Sequence, residues 1–456
     1  MSKLPYILFV FGLFFFSFNS FEGIQIFGEF SNEAAFYFFT VGSLLTVLNK
    51  NVTIPYRNKT FQIIIVFCVW CFISTVLNYS TVATNYLKYT TGVSRFIRQF
   101  FVLILCLIVY LIYFYNIYQR FTLEKLFLLL RKIFLLSLLF IFTFGFFETL
   151  YGYYGIYVFK YIVDLFNYLP FIERDFISER ISSVGDEPPI LAIYLITIFG
   201  WMFSYIITEK SKFLKYIPLC LVYFLTFFSG SRTALIIIFI QSLLFVFKLV
   251  NKKDFVVFVK QSLPIIIIIV TGSLLYNGGK VYDAVSERIE TLNFRENLTK
   301  NISNQSRFGM QYAALEIFKE NPIIGVGFGQ QAYHTRYKYP AWAKKNNYEF
   351  AYFYENTAVR AFPPAYNIYT RLLAEVGLIG ILILAYIIFT SLRDSQKLIT
   401  GEPNTVKYLY GIVLHISLVG LYINWFQNDS FKIYGIWLYL ALLIRIQMEK
   451  QETIDD

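Results

Sequence analysis

The stretch FQIIIVFCVWCFISTVLNY, residues 61–79, decides the fold class because it contains no Asp, Glu, Lys or Arg. An apolar helix of about 20 residues is long enough to cross the hydrocarbon core of a membrane. Similar stretches recur along the whole chain: 57% of its 456 residues are hydrophobic and only 15% are charged. Soluble domains have roughly 25% charged residues. The composition therefore excludes a soluble globular domain and predicts an integral membrane protein.

The same length criterion predicts an all-α polytopic membrane protein with about 12 transmembrane helices. These spans are expected near residues 4–20, 34–48, 61–79, 96–118, 132–152, 188–207, 215–229, 233–250, 261–276, 372–392, 406–424 and 431–447. The N-terminal run lacks a small-x-small cleavage site, so it is interpreted as the first span and not as a secretory signal.

Lysine and arginine are concentrated in alternate connections between these spans, a distribution that sets membrane orientation. The basic connections contain Lys50, Arg57 and Lys59; Arg120, Lys125, Arg131 and Lys132; Lys210, Lys212 and Lys215; Lys252, Lys253 and Lys260; and Arg393, Lys397 and Lys407. With an even number of spans, both termini are predicted to be cytoplasmic. The net charge of +11 is explained by this pattern, which does not indicate a nucleic-acid groove.

The two longest connections then face outward, at about 153–187 and 277–371. A structureless loop as long as the second is uncommon, so it is predicted to be a folded, largely helical extracytoplasmic cap. The predicted domains are a bundle of nine spans over 1–276, the cap over 277–371, and three further spans with a cytoplasmic tail over 372–456.

The cap is predicted to contain at least one amphipathic helix, because apolar residues recur at helical spacing from Phe308 to Phe318. Asn304 or Ser306 is expected to cap its start, and Asn321-Pro322 to end it.

Cysteine and histidine usage predicts no metal or redox centre. All four cysteines lie inside apolar runs, and the Cys68-x-x-Cys71 pair has no second pair or histidine cluster to accompany it. Cys68, Cys71, Cys106 and Cys220 are therefore interpreted as small buried hydrophobic residues. The only histidines, His334 and His415, are too few for a histidine-rich site.

Four segments near the predicted outer boundary contain residues suited to chemistry. In FFSGSRTA, residues 227–234, Arg232 is either an anion ligand with a forked donor array or a snorkelling anchor at a helix end. In residues 304–329, Arg307 is a second candidate anion ligand. The same segment has Gly325, Gly327 and Gly329, which permit tight turns but do not have the spacing of a dinucleotide fingerprint.

The third segment is PPAYNIYTRLLAEVGLIG, residues 363–380, in which Arg371 and Glu375 lie on one helical face. They are either a structural pair or functional ionisable residues at the end of a span. The fourth is RISSVGDEPPILA, residues 180–192, with Arg180, Asp186 and Glu187; its alternative reading is a solvated loop. Arginines from several external segments beside a large cap suit a lipid-linked phosphate substrate that approaches from the bilayer.

These segments, in this order, resemble motifs of the O-antigen ligase and polymerase superfamily of bacterial envelope glycosyltransferases. The matched motifs cover roughly residues 180–380. The resemblance implies a GT-C-like bundle in the bacterial cytoplasmic membrane and a metal-independent transfer of glycan from an undecaprenyl-diphosphate carrier, with no cofactor. It also implies a chain-length regulator and a flippase as partners. By this analogy Arg180, Arg232, Arg307 and Arg371 bind the diphosphate, and Asn367 is a further site residue.

One departure from the family pattern is informative. Ligases of this superfamily typically have a histidine, a candidate general base, immediately before the asparagine of the third motif. This chain has Tyr366 before Asn367, and a phenol with a pKa near 10 is a poor base at neutral pH. The base is thus unassigned among Tyr366 and the carboxylates Glu187 and Glu375.

The substitution favours a Wzy-type polymerase that joins lipid-linked repeat units into surface polysaccharide. A ligase that attaches finished glycan to lipid A-core or another envelope acceptor is the first alternative. A transporter or flippase for lipid-linked sugars is the second, although the paired inverted repeats typical of transporters are not visible in the sequence.

Overall fold

The computed structural model describes residues 3–50, 52–173, 180–211, 213–249, 286, 302–403 and 405–455. Part of the sequence-based prediction lies outside these residues, namely the span at 261–276, the cap segment 277–301 apart from Ser286, and Lys212, Lys252, Lys253 and Lys260.

The described residues are mainly helical. A helix satisfies the backbone hydrogen bonds of a long apolar run within one segment, as an apolar surrounding requires. In chain order the helices are α1 Leu4–Phe14, α2 Ala34–Leu48, α3 Lys59–Leu77, α4 Tyr79–Thr84, α5 Gly92–Tyr118, α6 Leu123–Tyr153, α7 Lys160–Phe166, α8 Pro188–Thr208, α9 Leu214–Phe228, α10 Arg232–Leu249, α11 Ile302–Glu320, α12 Gln331–Thr335, α13 Ala341–Lys344, α14 Ile368–Ile399, α15 Val406–Asn424 and α16 Tyr434–Asp455. Short 3₁₀ turns lie at Gln25–Phe30 and Tyr157–Phe159, and a π turn at Phe350–Glu355. Strands β1 Tyr86–Leu87 and β2 Thr90–Thr91 form an antiparallel hairpin.

Six helices of the described chain are long and apolar enough to cross a membrane, namely α3, α5, α6, α8, α14 and α15. They confirm the predicted all-α polytopic membrane protein. Helices α1, α2 and α9 are apolar but shorter. At 1.5 Å per residue, α1 is only about half as long as the hydrocarbon core is thick. The total of twelve spans and the proposed domain boundaries stay predictions.

One end of the bundle carries the segment 302–367, called the cap from here on. At this end α14 begins where α15 finishes, since the Ile368 amide donates to Trp425 O at 3.0 Å. The connections at the opposite end contain the described lysines and arginines of the predicted cytoplasmic side. There, Asn58 at the start of α3 donates to Gln447 Oε1 of α16 at 2.7 Å.

Helix α14 is interrupted at Gly377, where the backbone has φ 65° and ψ −165°. The break leaves carbonyls and amides of the helix without partners inside it, and the cap loop 322–327 pairs with them. The bonds are Val326 N to Ala374 O at 2.9 Å, Gly327 N to Glu375 O at 2.8 Å and Leu378 N to Pro322 O at 2.8 Å. Since buried backbone groups are costly when unpaired, the loop and the broken helix stabilise each other.

Helix α3 supplies two further bonds to the same junction. The indole N–H of Trp70 donates to Val376 O at 3.0 Å, and the hydroxyl of Ser74 donates to Ile324 O at 2.7 Å. The cap is thus anchored to two membrane helices at once.

The predicted glycine turns of this loop are confirmed. Gly325, Gly327 and Gly329 have φ values of 68°, 101° and 78°, in the left-handed region that favours glycine. Close approach adds a second reason at Gly325, where a Cβ atom would lie 2.4 Å from the backbone of Glu375.

The predicted cap helix is confirmed as α11, and its end at Asn321 is also correct. The predicted N-cap is wrong. Helix α11 already includes Ile302, so Asn304 and Ser306 are buried side chains inside its first turns. The sequence suggested a later start because its regular apolar spacing begins only at Phe308.

We expect Gly377→Ala to unfold the cap junction. Its Cβ would lie 2.2 Å from Ile323 O in a left-handed conformation, so the expected cost exceeds about 4 kcal/mol, the range of severe substitutions. Gly155→Ala is a matched control, because Gly155 also has a positive φ but has no atom within 4 Å of the added Cβ. It should cost only about 1–2 kcal/mol of backbone strain. The melting temperatures of the detergent-purified variants test this; equal melting temperatures would contradict it.

Candidate functional site

Two of the predicted anion ligands converge on the first turns of α11. Arg232 begins α10 and donates from Nη2 to Asn304 Oδ1 at 3.3 Å. Arg307 donates from Nε to Ser303 Oγ at 3.2 Å. Because Ser303 and Asn304 are neighbours in one turn, both guanidinium groups contact the same turn of α11, and both side chains are partly exposed.

Arg180 joins the same region through the turn that precedes α10. Its Nε donates to Ser229 O at 3.3 Å, and the Ile181 amide donates to Phe228 O at 3.2 Å. The segment after Arg180 therefore lies along the turn that leads to Arg232. We call Arg180, Arg232 and Arg307 the arginine cluster.

Glu148, which the sequence analysis missed, holds this segment in place. Its side chain is completely buried near the end of α6, and its carboxylate accepts from the amides of Ser182 and Ser183 at 3.4 and 2.7 Å. A carboxylate inside an apolar run is a functional candidate in its own right, so the signal was present in the predicted span 132–152.

The guanidinium of Arg307 retains donors for a ligand. Nη1 donates to Gln427 Oε1 at 2.9 Å, Nε donates to Ser303, and the ring of Tyr366 lies 4.7 Å from Cζ. Two of the five N–H donors of an arginine are thereby used, which leaves three. No ion pair neutralises Arg307 within the described chain, so its charge and its remaining donors can serve an anionic oxygen.

Tyr366 is placed beneath Arg307 by an unusual backbone. Its φ is 58°, a left-handed conformation that costs a bulky residue about 1–3 kcal/mol unless its neighbours enforce it. Hydrogen bonds of the two neighbouring residues, Ala365 and Asn367, enforce this conformation. Ala365 N donates to Asp429 Oδ2 at 2.6 Å, and Asn367 caps α14 by accepting from the amides of Tyr369 and Thr370.

Asn367 also contacts α11, where its Nδ2 donates to Gln311 Oε1 at 3.3 Å. It thus ties the start of α14 to the helix that carries Arg307. This is a positioning role, and the structure gives it no contact with the arginines among the described residues.

Tyr366 is poorly suited to act as a base. Burial raises the pKa of its phenol, and the nearby charge of Arg307, which lowers it, is a smaller effect. The phenol is protonated at neutral pH, so Tyr366 can donate a hydrogen bond and support Arg307 but cannot accept a proton from an acceptor hydroxyl.

Arg371 and Glu375 form the predicted pair, with Nε 3.2 Å from Oε1, and both are buried. Arg371 also donates from Nη1 to Asp429 O at 2.7 Å and from Nη2 to Gln99 Oε1 at 2.9 Å. All three of its nitrogens have protein partners, and no contact joins it to the arginine cluster within the described chain. The structure therefore separates Arg371 from the other three predicted diphosphate ligands.

Glu187 and His334 lie apart from these contacts. Glu187 is exposed immediately before α8, and its side chain has no hydrogen bond or ion pair to any residue that the structure describes. His334 lies in α12, where burial and then the charge of Arg336 lower its pKa. Its imidazole is consequently neutral at neutral pH.

The family comparison covers most of this geometry. Residues 217–385 match the Wzy_C model, described as O-antigen ligase. This part of the chain is similar to the O-antigen ligase family. It contains Arg232, Arg307, Tyr366, Asn367, Arg371 and Glu375, and it confirms the resemblance to the O-antigen ligase and polymerase superfamily. Arg180 and Glu187 precede the matched segment, and no curated protein matches the chain.

We expect Tyr366→Phe to retain most of the transferase activity, because the ring beneath Arg307 remains and the phenol is not a base. Tyr366→Ala should lower activity about tenfold or more, since it removes a cation–π contact of up to about 2 kcal/mol. Glycan formed by membranes containing each variant measures both. Equal, severe losses of activity in Tyr366→Phe and Tyr366→Ala would show that the hydroxyl itself is required.

Proposed function

We propose that this protein polymerises oligosaccharide repeat units carried on undecaprenyl diphosphate into surface polysaccharide. The O-antigen ligase domain supports a ligase or polymerase role in polysaccharide assembly, and hence a glycosyl-transferring enzyme. The observation that carries the proposal is the Arg307 guanidinium, which keeps donors and has no ion pair with the described residues, at the same turn of α11 that Arg232 contacts. Two neighbouring cations with forked donor arrays suit a diphosphate.

In the proposed reaction an acceptor hydroxyl attacks the anomeric carbon of the first sugar on the carrier. The bond from that carbon to the diphosphate oxygen breaks as the new glycosidic bond forms. The hydroxyl proton passes to a base, and the carrier leaves as a diphosphate. Arg232 and Arg307 stabilise the charge that develops on the departing diphosphate, and the step requires no metal ion.

Polymerisation is favoured over ligation by Tyr366. Ligases of the superfamily typically have histidine at the corresponding position, where this chain has a protonated phenol stacked on Arg307. A ligase that transfers finished chains to lipid A-core or another envelope acceptor is the alternative within the same domain family.

The proposed location is the bacterial cytoplasmic membrane, with both termini in the cytoplasm and the cap on the outer face. The described lysines and arginines at the end opposite the cap support this orientation. The lipid-linked repeat unit is then delivered by a flippase, and a chain-length regulator is a further proposed partner.

Arg232→Ala and Arg307→Ala are each expected to reduce polymerisation by about 10²–10³-fold, the usual effect of losing one donor to a developing anion. The measurement uses deletion strains complemented with each variant. Their surface and lipid-linked glycans are separated on a gel, and the lengths of the chains report polymerisation. Arg57→Ala is the matched control, because it removes an exposed positive charge at the opposite end and should leave the pattern unchanged.

The pattern of products distinguishes the possible functions. Acceptor that carries one repeat and no ladder supports the polymerase. Long chains that persist on the carrier while the acceptor stays bare support the ligase. Unchanged glycan in both arginine variants would contradict the diphosphate site, and loss of lipid-linked repeats from the outer leaflet would support a flippase.

Glu187 is the proposed general base, because its exposed carboxylate has no hydrogen bond or ion pair with the described residues and belongs to the segment that supplies Arg180. Glu187→Gln should lower the rate of transfer by about 10²–10⁴-fold without a change in melting temperature. Asp186→Asn, an exposed neighbour, is the control. Full activity of Glu187→Gln at all pH values would exclude Glu187 as the base.

A further inference from the structure

A cavity of about 320 Å³ lies on the other face of the first turns of α14. We call it the polar chamber. Its wall contains Arg371 and Glu375 together with Arg95 of α5, Gln331 of α12 and Phe362 of the cap. This volume is within the range of small-molecule sites, at its lower end.

Three side chains of this wall have a buried polar atom without a hydrogen-bond partner among the residues that the structure describes. These atoms are Arg95 Nε, Gln331 Nε2 and Glu375 Oε2. Gln331 and Glu375 are 3% and 2% exposed. Since buried polar groups are almost always paired, two donors and one acceptor around one cavity suit an occupant that both donates and accepts hydrogen bonds.

The charges of the wall distinguish among possible occupants. Arg95, Arg371 and Lys432 are balanced by Glu29, Glu375 and Asp429, which also line the chamber. A diphosphate or another multiply charged anion gains little from a wall with no net charge. An uncharged molecule whose hydroxyls both donate and accept hydrogen bonds fits the donors and the acceptor together.

The chamber adjoins the arginine cluster across two short segments. Pro363 and Pro364 line the chamber, and Tyr366, two residues later, lies beneath Arg307. Asp429 lines it as well, and Gln427 accepts from Arg307. The same two short segments thus contact both the chamber and Arg307.

We propose that the polar chamber binds a neutral sugar residue of the growing glycan. This inference rests on the proposed polymerase, in which donor and acceptor are built from the same repeat unit. Arg371 and Glu375 then serve the saccharide and not the diphosphate, which explains why Arg371 has no contact with the arginine cluster among the described residues.

Gln331→Leu tests the proposal with little risk of misfolding. The substitution keeps a side chain of similar size and removes a buried donor that has no partner among the described residues, so the melting temperature should stay the same or rise. Ser17→Ala is the control, because Ser17 is buried and its hydroxyl likewise has no described partner, but it does not line the chamber.

The probe is the repeat-unit oligosaccharide of the source strain, released from its carrier by mild acid and added to purified full-length protein in detergent. We expect Gln331→Leu to weaken its binding about three- to tenfold, the effect of one lost hydrogen bond. The KM of polymerisation should rise by a similar factor while kcat changes little. Ser17→Ala should bind the free oligosaccharide like the unmodified protein.

Three outcomes would overturn the inference: no binding of the free oligosaccharide, unchanged binding by Gln331→Leu, or weaker binding of inorganic pyrophosphate by Gln331→Leu. The last would identify an anion site. Failure of the proposed function gives a different result. Arg307→Ala would then leave the glycan ladder intact, whether or not the free oligosaccharide binds to the protein.

Discussion

The backbone pairing between the cap loop 322–327 and the break in α14 at Gly377 is the constraint on which the rest of the structure depends. A helix interrupted in an apolar bundle exposes carbonyls and amides that lipid cannot satisfy. The loop supplies those partners, and Trp70 and Ser74 of α3 complete the junction. Cap and bundle therefore cannot form their native contacts separately, and the start of α14 has a fixed position relative to α11.

The segment that enters α14 and the first turns of the helix present two chemically different faces. Tyr366 and Asn367 face α11, where Arg307 has N–H donors that remain available and no ion pair with the described residues. Arg371 and Glu375 face the polar chamber, where each charge has a counterpart. The connection between α15 and α16 serves both faces, through Gln427 on one side and Asp429 on the other. Under the proposed function, this short segment separates the binding of the charged leaving group from the binding of neutral sugar.

Sequence reasoning predicted the local features well. Apolar runs gave the membrane helices, regular spacing gave α11, and the glycines of the cap loop adopt the expected left-handed conformations. It could not predict partners that are distant in sequence. Arg95 and Gln99 lie on one face of α5, and Gln427 and Asp429 in a short connection, yet nothing local shows that they meet Arg371 or Arg307. Glu148 was visible as a carboxylate in an apolar run, but its partners are amides more than thirty residues away.

The break at Gly377 also bears on how this architecture can be exchanged between proteins. The residues of α14 on both sides of Gly377, from Ala374 to Ile379, are hydrogen-bonded to the cap loop, whereas those after Ile379 continue as an uninterrupted membrane helix. The modular boundary of the cap therefore lies after Ile379, inside the helix, and not at Ile368, where the helix begins. A chimera that grafts a foreign cap should carry the donor's helical segment through Ile379, so that the grafted loop keeps the backbone groups with which it pairs.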